Sequence, residues 1–435
     1  MKMKNILLLL LMLPAFIAQG QIDNLSNMSP EWVRTGNRNA AVKGMDRVIY
    51  NPASLTQNNS GFQIAIGNQM LMRKPSHTYD LGYGSHTYKQ DGNDFVVPDL
   101  LLSYSKNNWA LWGGAYISGG GATANYPNGS INTELISLML LESFQGYYTG
   151  IGKQYLKASS LYLTGTAGVT YNLNEQFGVA VGVRYVNATN KTEAGTTLTG
   201  SIDGMDLPIN LKSKDNAAGI AAVIGLHARP FDQFNVSVRL ETNTKLNFKT
   251  TQQTDDLEVI TAGQAGLVND GEKHRRDLPG VAAIGLGYDF SKSFRFTGEI
   301  NYYFQQHADW GRNENNSRIN TLAGDAINYA GGFEWQWFKQ LTWSAGAVYT
   351  MLIYNDMNQY YTTLGAFETA PYENLTLNTG FAIDASEKVR INLGVAKAIY
   401  KKDKSVDIAA LYPNKVKATL NNDVLILGAG IDFRF

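Results

Sequence analysis

The feature that most constrains this chain is a two-residue alternation of apolar and polar side chains, repeated along its whole length. In FRFTGEINYYF (294–304) the even positions are Phe294, Phe296, Gly298, Ile300, Tyr302 and Phe304, and the odd ones are Arg295, Thr297, Glu299, Asn301 and Tyr303. Successive side chains of an extended strand point to opposite faces, so this segment is a strand with one greasy and one polar side. The same rule holds in FGVAVGVRYV (177–186), FNVSVRLETN (234–243), LTLNTGFAID (375–384) and VRINLGVAKAI (389–399). Two architectures suit such strands: a soluble sandwich with the apolar face in a core, or a transmembrane barrel with that face in lipid.

The connections arbitrate. Strands are expected at 61–73, 95–106, 109–118, 159–171, 177–189, 217–228, 234–248, 279–290, 294–305, 326–337, 341–354, 374–384, 389–400 and 423–435, fourteen in all. KNN (106–108), NLNEQ (172–176), RPFDQ (229–233), DFSKS (289–293) and DASEK (384–388) are tight links made of turn formers, whereas 74–94, 119–158, 250–277 and 401–422 are long. Short turns at one end, long loops at the other and an even strand count are the layout of an outer-membrane barrel with both termini in the periplasm. A soluble sandwich has no reason to keep that asymmetry.

Composition and the two ends agree. The chain has 43 Gly, 24 Tyr and no Cys among 435 residues, which excludes disulfides, thiolate metal sites and a cysteine nucleophile. Its 37 Lys and Arg balance 37 Asp and Glu, so charge gives no reason to expect a nucleic-acid partner. A basic start, an apolar run over 6–17 and Ala18-Gln19-Gly20 read as a signal peptide, residues 1–20, cut after Gly20. The final strand ends in GAGIDFRF with Phe435 last, which resembles the signal read by the barrel assembly machinery.

Residues 21–59 do not alternate. This segment mixes Trp32, Val33, Val48 and Leu55 with Arg34, Arg38, Lys43, Asp46 and Arg47, and it ends in YNPASL before the first strand. Its apolar content demands packing, and the nearest polar enclosure is the barrel lumen. A segment leading through Asn-Pro-Ala into a strand resembles the N-terminal hatch of the FadL/TodX family of outer-membrane transporters for long-chain fatty acids and other hydrophobic compounds. VVPDLLLSYSKNNWALWGGAYISGGGATANYPNG (96–129) is similar to that family's second and third strands. The resemblance implies an all-β, 14-stranded antiparallel transmembrane β-barrel over 60–435, plugged by a hatch over 21–59. It further implies that Asn51, Pro52 and Ala53 form a gating turn facing an inward kink of the third strand, where a gap releases substrate sideways into the membrane. Gly119, Gly120 and Gly121, or Gly113 and Gly114, are the candidates for that kink.

Two further sets of residues have open assignments. INTELISLMLLESF (131–144) suits a helix crowded with Leu and Met on more than one side. Leu135, Leu138, Met139 and Phe144 either line a groove that captures substrate or pack the helix across the barrel mouth. By alternation Arg184, Arg239, Glu241 and Glu299 point into the lumen. The arginines either hold a substrate carboxylate or pair with each other and the hatch. Arg295, Arg390, Asp432 and Arg434 belong near the periplasmic turns.

No catalytic residue or cofactor is expected. His77, His86, His227, His274 and His307 have no metal-ligand spacing, and the chain has no GxSxG elbow. The expected function is passive uptake of a hydrophobic small molecule by a monomer, with outer-membrane lipid and the assembly machinery as the other partners. The alternative is a non-transporting barrel of the same kind that docks a secretion or surface system.

Overall fold

The computed structural model describes residues 28–435 apart from 58–59, 81–83, 145, 203, 264–265, 313–315, 365–367, 369–372, 401–403 and 408–416. The expected signal peptide, with its cut after Gly20, lies outside the described residues.

The wall consists of β1 (Gly61–Arg73), β2 (Asn93–Lys106), β3 (Trp109–Tyr126), β4 (Tyr148–Asn172), β5 (Phe177–Gly200), β6 (Leu207–Phe231) and β7 (Phe234–Glu241), followed by β8 (Gly280–Asp289), β9 (Phe294–Phe304), β10 (Ala326–Phe338), β11 (Leu341–Leu352), β12 (Asn374–Asp384), β13 (Val389–Tyr400) and β14 (Asp423–Arg434). Each strand pairs antiparallel with its chain neighbours, and β1 closes on β14 from Gln63–Arg434 to Arg73–Val424. A closed cylinder leaves no edge, so every backbone group at membrane depth can be satisfied within the wall.

Alternation decides which side faces out. On β9, Arg295, Thr297, Glu299 and Asn301 are buried while Phe296 and Ile300 are exposed. The same outward set recurs round the wall in Ile66, Leu111, Val181, Ile220, Leu240, Leu286, Leu377 and Leu393. Exposed apolar side chains in a continuous band are intolerable in water and expected in lipid, so this is a transmembrane barrel of the outer-membrane type. Ring pairs mark the short-turn end: Phe62–Phe435 at 6.0 Å, Tyr104–Trp109 at 5.8 Å, Phe231–Phe234 at 5.4 Å and Trp337–Trp343 at 5.4 Å. Among the described residues no helix is long and apolar enough to cross a membrane.

Two differences from the sequence reading have clear causes. Strands β4, β5 and β6 run 25, 24 and 25 residues, well beyond the expected bounds. Above the apolar band their outward side chains are polar, as in Lys191 facing Lys214 and Glu193 facing Lys212, so no greasy face announces them. The seventh strand, expected unbroken over 234–248, stops at Glu241 and resumes as Asn247–Asp255. Between them Thr244 exchanges backbone bonds of 3.1 and 3.0 Å with Leu278, while Leu246 receives Arg276 N–H at 3.1 Å and donates to Asp277 at 3.0 Å.

Outside the band, Ser76–Asp80, Ser85–Lys89, Lys404–Asp407 and Lys417–Asn421 form a separate four-stranded sheet. The helix Ile131–Ser143 lies across the mouth.

Candidate functional site

The described part of the N-terminal segment, residues 28–57, is buried almost throughout and fills the lumen. Helix α1 (Pro30–Thr35) begins where the Ser29 hydroxyl accepts the Trp32 N–H at 3.0 Å, and it ends on the left-handed Gly36. It lies on β11 to β14, and glycines in the wall make room for it. A Cβ on Gly346 would overlap the Thr35 carbonyl, and one on Gly394 would lie 2.7 Å from Arg34 N. Asn378 donates to the carbonyls of Trp32 and Val33 at 3.2 and 3.1 Å, and Arg34 pairs with Glu334 at 2.7 Å. Glu299 accepts the N–H groups of Arg38 and Asn39 at 2.8 and 2.7 Å. Arg295 and Asn235 both donate to the Ala40 carbonyl at 3.0 Å.

The Asn-Pro-Ala turn sits on the opposite wall. Short helix α2 (Arg47–Tyr50) packs on β2 and β3, and the turn Pro52–Ser54 packs on β4, β5 and β6. Asn51 Nδ2 donates to Ser237 Oγ at 2.7 Å, Thr170 Oγ1 donates to the Pro52 carbonyl at 2.7 Å, and the Ala53 carbonyl faces Gly178. His227 completes this clasp: Nδ1 is 2.9 Å from Ser237 Oγ and Nε2 is 3.0 Å from Gln57 Oε1. A neutral ring protonated at Nε2 satisfies the chain Asn51 to Ser237 to His227 to Gln57 in one direction. Ser237 and Thr170 carry no motif in the sequence, and His227 is read there only as lacking metal-ligand spacing. Parity was the available signal: Ser237 shares the inward face of Arg239, two residues on.

The third strand departs from its partner higher up. Pairing of β2 with β3 ends at Asp99–Tyr116, although β2 continues to Asn93 and β3 to Tyr126. Opposite β4, the register of β3 slips between Ile117 and Gly119 and again between Gly120 and Ala122. Gly113 and Gly114 lie in an unbroken ladder on both sides, so they make no kink. Arg73 and Asp94 form an ion pair beside the opening, and Asp94 accepts the Thr123 N–H at 3.1 Å. Phe95 and Val96 stay exposed on its outer lip.

The turn does not face this opening; its partners are on β4 to β7. The preceding helix does come near it, because Ile49 and Tyr50 cluster with Leu101 and Tyr116, the latter in the last paired rung of β2 and β3.

The lumen arginines are engaged. Arg184 pairs with Glu241 and lies over the Tyr116 ring at 6.0 Å. Arg239 approaches Glu241 at 3.6 Å, donates to the Ile49 carbonyl at 3.0 Å and lies over Tyr50 at 5.7 Å. Arg184 is thus held by the wall residues Glu241 and Tyr116, and Arg239 by Glu241 and by the hatch residues Ile49 and Tyr50.

At the mouth, helix α3 (Ile131–Ser143) is packed on two sides. Leu135 joins Tyr79, Trp310 and Leu420, whereas Leu140 joins Leu198, Ile209 and Leu257. Leu138, Met139 and Phe144 are half-buried. Its first turn donates to His77 Nε2 from Ile131 N–H at 3.0 Å and to Glu368 from Asn132 Nδ2 at 2.6 Å. Burial pushes the His77 imidazole down to about 3 and the Glu368 carboxyl up to about 7. Among the described residues no cluster of His, Asp or Glu is placed to hold a metal.

No family model and no curated protein matches the sequence. Solved structures do match. A FadL homologue of Pseudomonas aeruginosa superposes with a TM-score of 0.66 at 13% identity, over 95% of this chain and 100% of that one. The toluene transporter TbuX of Ralstonia pickettii gives 0.62 at 14%, over 95% and 99%. The toluene transporter TodX of Pseudomonas putida gives 0.60 at 13%, over 95% and 100%. The chain therefore has the FadL/TodX fold, a fourteen-stranded outer-membrane barrel with its N-terminal segment folded inside.

Proposed function

We propose that this protein is a passive outer-membrane channel for long-chain fatty acids or other hydrophobic compounds, with the hatch gating sideways release at the third strand. The observation that carries this reading is the rung at which β2 and β3 part, Asp99–Tyr116, above which both strands continue without pairing to each other. A barrel wall that breaks its own ladder at the outer edge of the apolar band gives up hydrogen bonds worth ~0.5–1.5 kcal/mol each, so the break needs a function. The structural neighbours, a FadL homologue and two toluene transporters, support uptake of an apolar solute.

The gate works through a relay in this reading. Asn51 clasps Ser237 one residue after α2, and α2 rests on Leu101 and Tyr116 at the base of the opening. Release of the clasp lets α2 withdraw and joins the opening to the lumen. Replacing Asn51 and Pro52 by Ala, with barrel assembly checked by heat-modifiable migration, is expected to change uptake of a fluorescent fatty acid severalfold. Unchanged uptake removes the gating role.

A further inference from the structure

The wall has a second break, between β6 and the seventh strand. Ladder pairing runs up to Val223–Glu241 and starts again at Asn216–Lys249. Over the stretch between, Thr242 N–H reaches the Ala222 carbonyl at 3.1 Å, and the backbone bonds of Thr244 and Leu246 go to the opposite side, to Leu278 and Arg276. Residues 242–246 bend into the barrel. The inward position of Gly219 receives the Lys245 carbonyl so closely that an added Cβ would overlap it.

The bend leaves a recess of about 710 Å³ on the outer surface, bordered by Tyr185, Ala218, Gly219, Ile220, Thr242 and Lys245. Tyr185 and Ile220 are exposed on the lipid-facing side. Tyr185 stands eight residues above the periplasmic end of β5 at Phe177, and at roughly 2.5 Å of height per tilted residue this is the outer edge of the apolar band. Lys245 beside it is exposed and has the length to keep its ammonium among head groups. Directly behind the bend, Leu246, Phe248 and Leu278 cluster with Tyr162, Val186 and Ala217, all buried. The third-strand opening is flanked by the Arg73–Asp94 ion pair; no ion pair spans 217–221 and 242–246 among the described residues.

We infer that this bend is a second lateral window, at which one acyl chain passes between the outer leaflet and the Leu246–Phe248–Leu278 cluster while its polar head stays beside Lys245. The inference rests on the transport reading but concerns a different part of the wall. The chain belongs either to a free fatty acid or to a bilayer phospholipid, and both present the same chemistry to the recess.

Photolabelling of the full-length protein in liposomes tests it, using a long-chain fatty acid with a chain diazirine and, in a parallel arm, a phospholipid with the same label. Adducts on Tyr185 or Ile220 together with Leu246 or Phe248 are expected, and the arm that labels identifies the source. Ala218→Trp, and separately Ile220→Trp, fill the recess from its exposed side. In whichever variant keeps heat-modifiable migration, labelling of Leu246 and Phe248 should fall severalfold. Labelling confined to Phe95, Val96 and Tyr116 overturns the window and leaves the third-strand route standing. Unchanged labelling of Leu246 and Phe248 in the tryptophan variants also overturns it, because the chain then arrives from elsewhere. Adducts in neither place overturn both readings.

Discussion

Gly346 faces the hatch so closely that an added Cβ would overlap the Thr35 carbonyl. Gly346→Val inserts a branched side chain where no Cβ fits, and overpacking of this kind costs about 1–3 kcal/mol. The barrel itself, held by β10 and β12 on either side, should persist. The expected outcome is a normally assembled protein whose hatch becomes cleavable by trypsin at Arg34 or Arg38, read by mass analysis of the fragments. His227 is the second single position that matters. His227→Ala removes the acceptor for Ser237 and the donor to Gln57; its effect on uptake should parallel that of Asn51→Ala, because both loosen one clasp. A His227→Ala protein with unchanged uptake beside an impaired Asn51→Ala protein would separate the two. Neither position stood out in the sequence, where a glycine in a strand or a histidine near a turn has many ordinary reasons to occur.

At the scale of elements, α3 depends on a carboxyl held in an unusual state. Burial raises Glu368 to about 7 against an ordinary 4.5, so the folded mouth binds this proton more tightly than the unfolded chain does. The contribution to stability is full below the ordinary value and is lost as pH rises through the raised one. Protection factors of the amides over Ile131–Ser143, with the base-catalysed intrinsic rate divided out, should therefore be higher at pH ~5 than at pH ~8, and Glu368→Gln should abolish the difference. Equal protection factors in the parent protein at both values would refute this dependence. The helix was legible as a helix, yet its apolar residues on several sides left capture and packing equally open. The structure uses two of those sides for packing against separate loop clusters and leaves Leu138 and Met139 half-buried. Replacing that pair with Ser is expected to weaken capture of a fluorescent fatty acid more than it loosens the mouth.

At the scale of the whole molecule, the absence of cysteine makes a tether clean to interpret. Asn51→Cys with Ser237→Cys places two thiols where side chains now meet at 2.7 Å. Oxidation should fix the hatch to β7, lower uptake severalfold and be reversed by a reductant. Full uptake by the oxidised protein would show that this end of the hatch need not move. Lipid extraction from protein purified in mild detergent, followed by mass analysis, is expected to find a copurifying acyl chain or similar apolar molecule. The fold itself was legible because it depends on local rules. Strand parity sets which side faces lipid, turn residues set the short links, and an even count sets where the termini lie. These come from neighbours in sequence, so the sequence by itself determined the barrel, its strand number and its inward and outward faces. Only the tertiary structure decided where the wall breaks and what the hatch touches. Whether Thr244 bonds to β6 or to Leu278, and whether Asn51 meets the third strand or Ser237, turns on competition between groups distant along the chain. No local pattern records the winner.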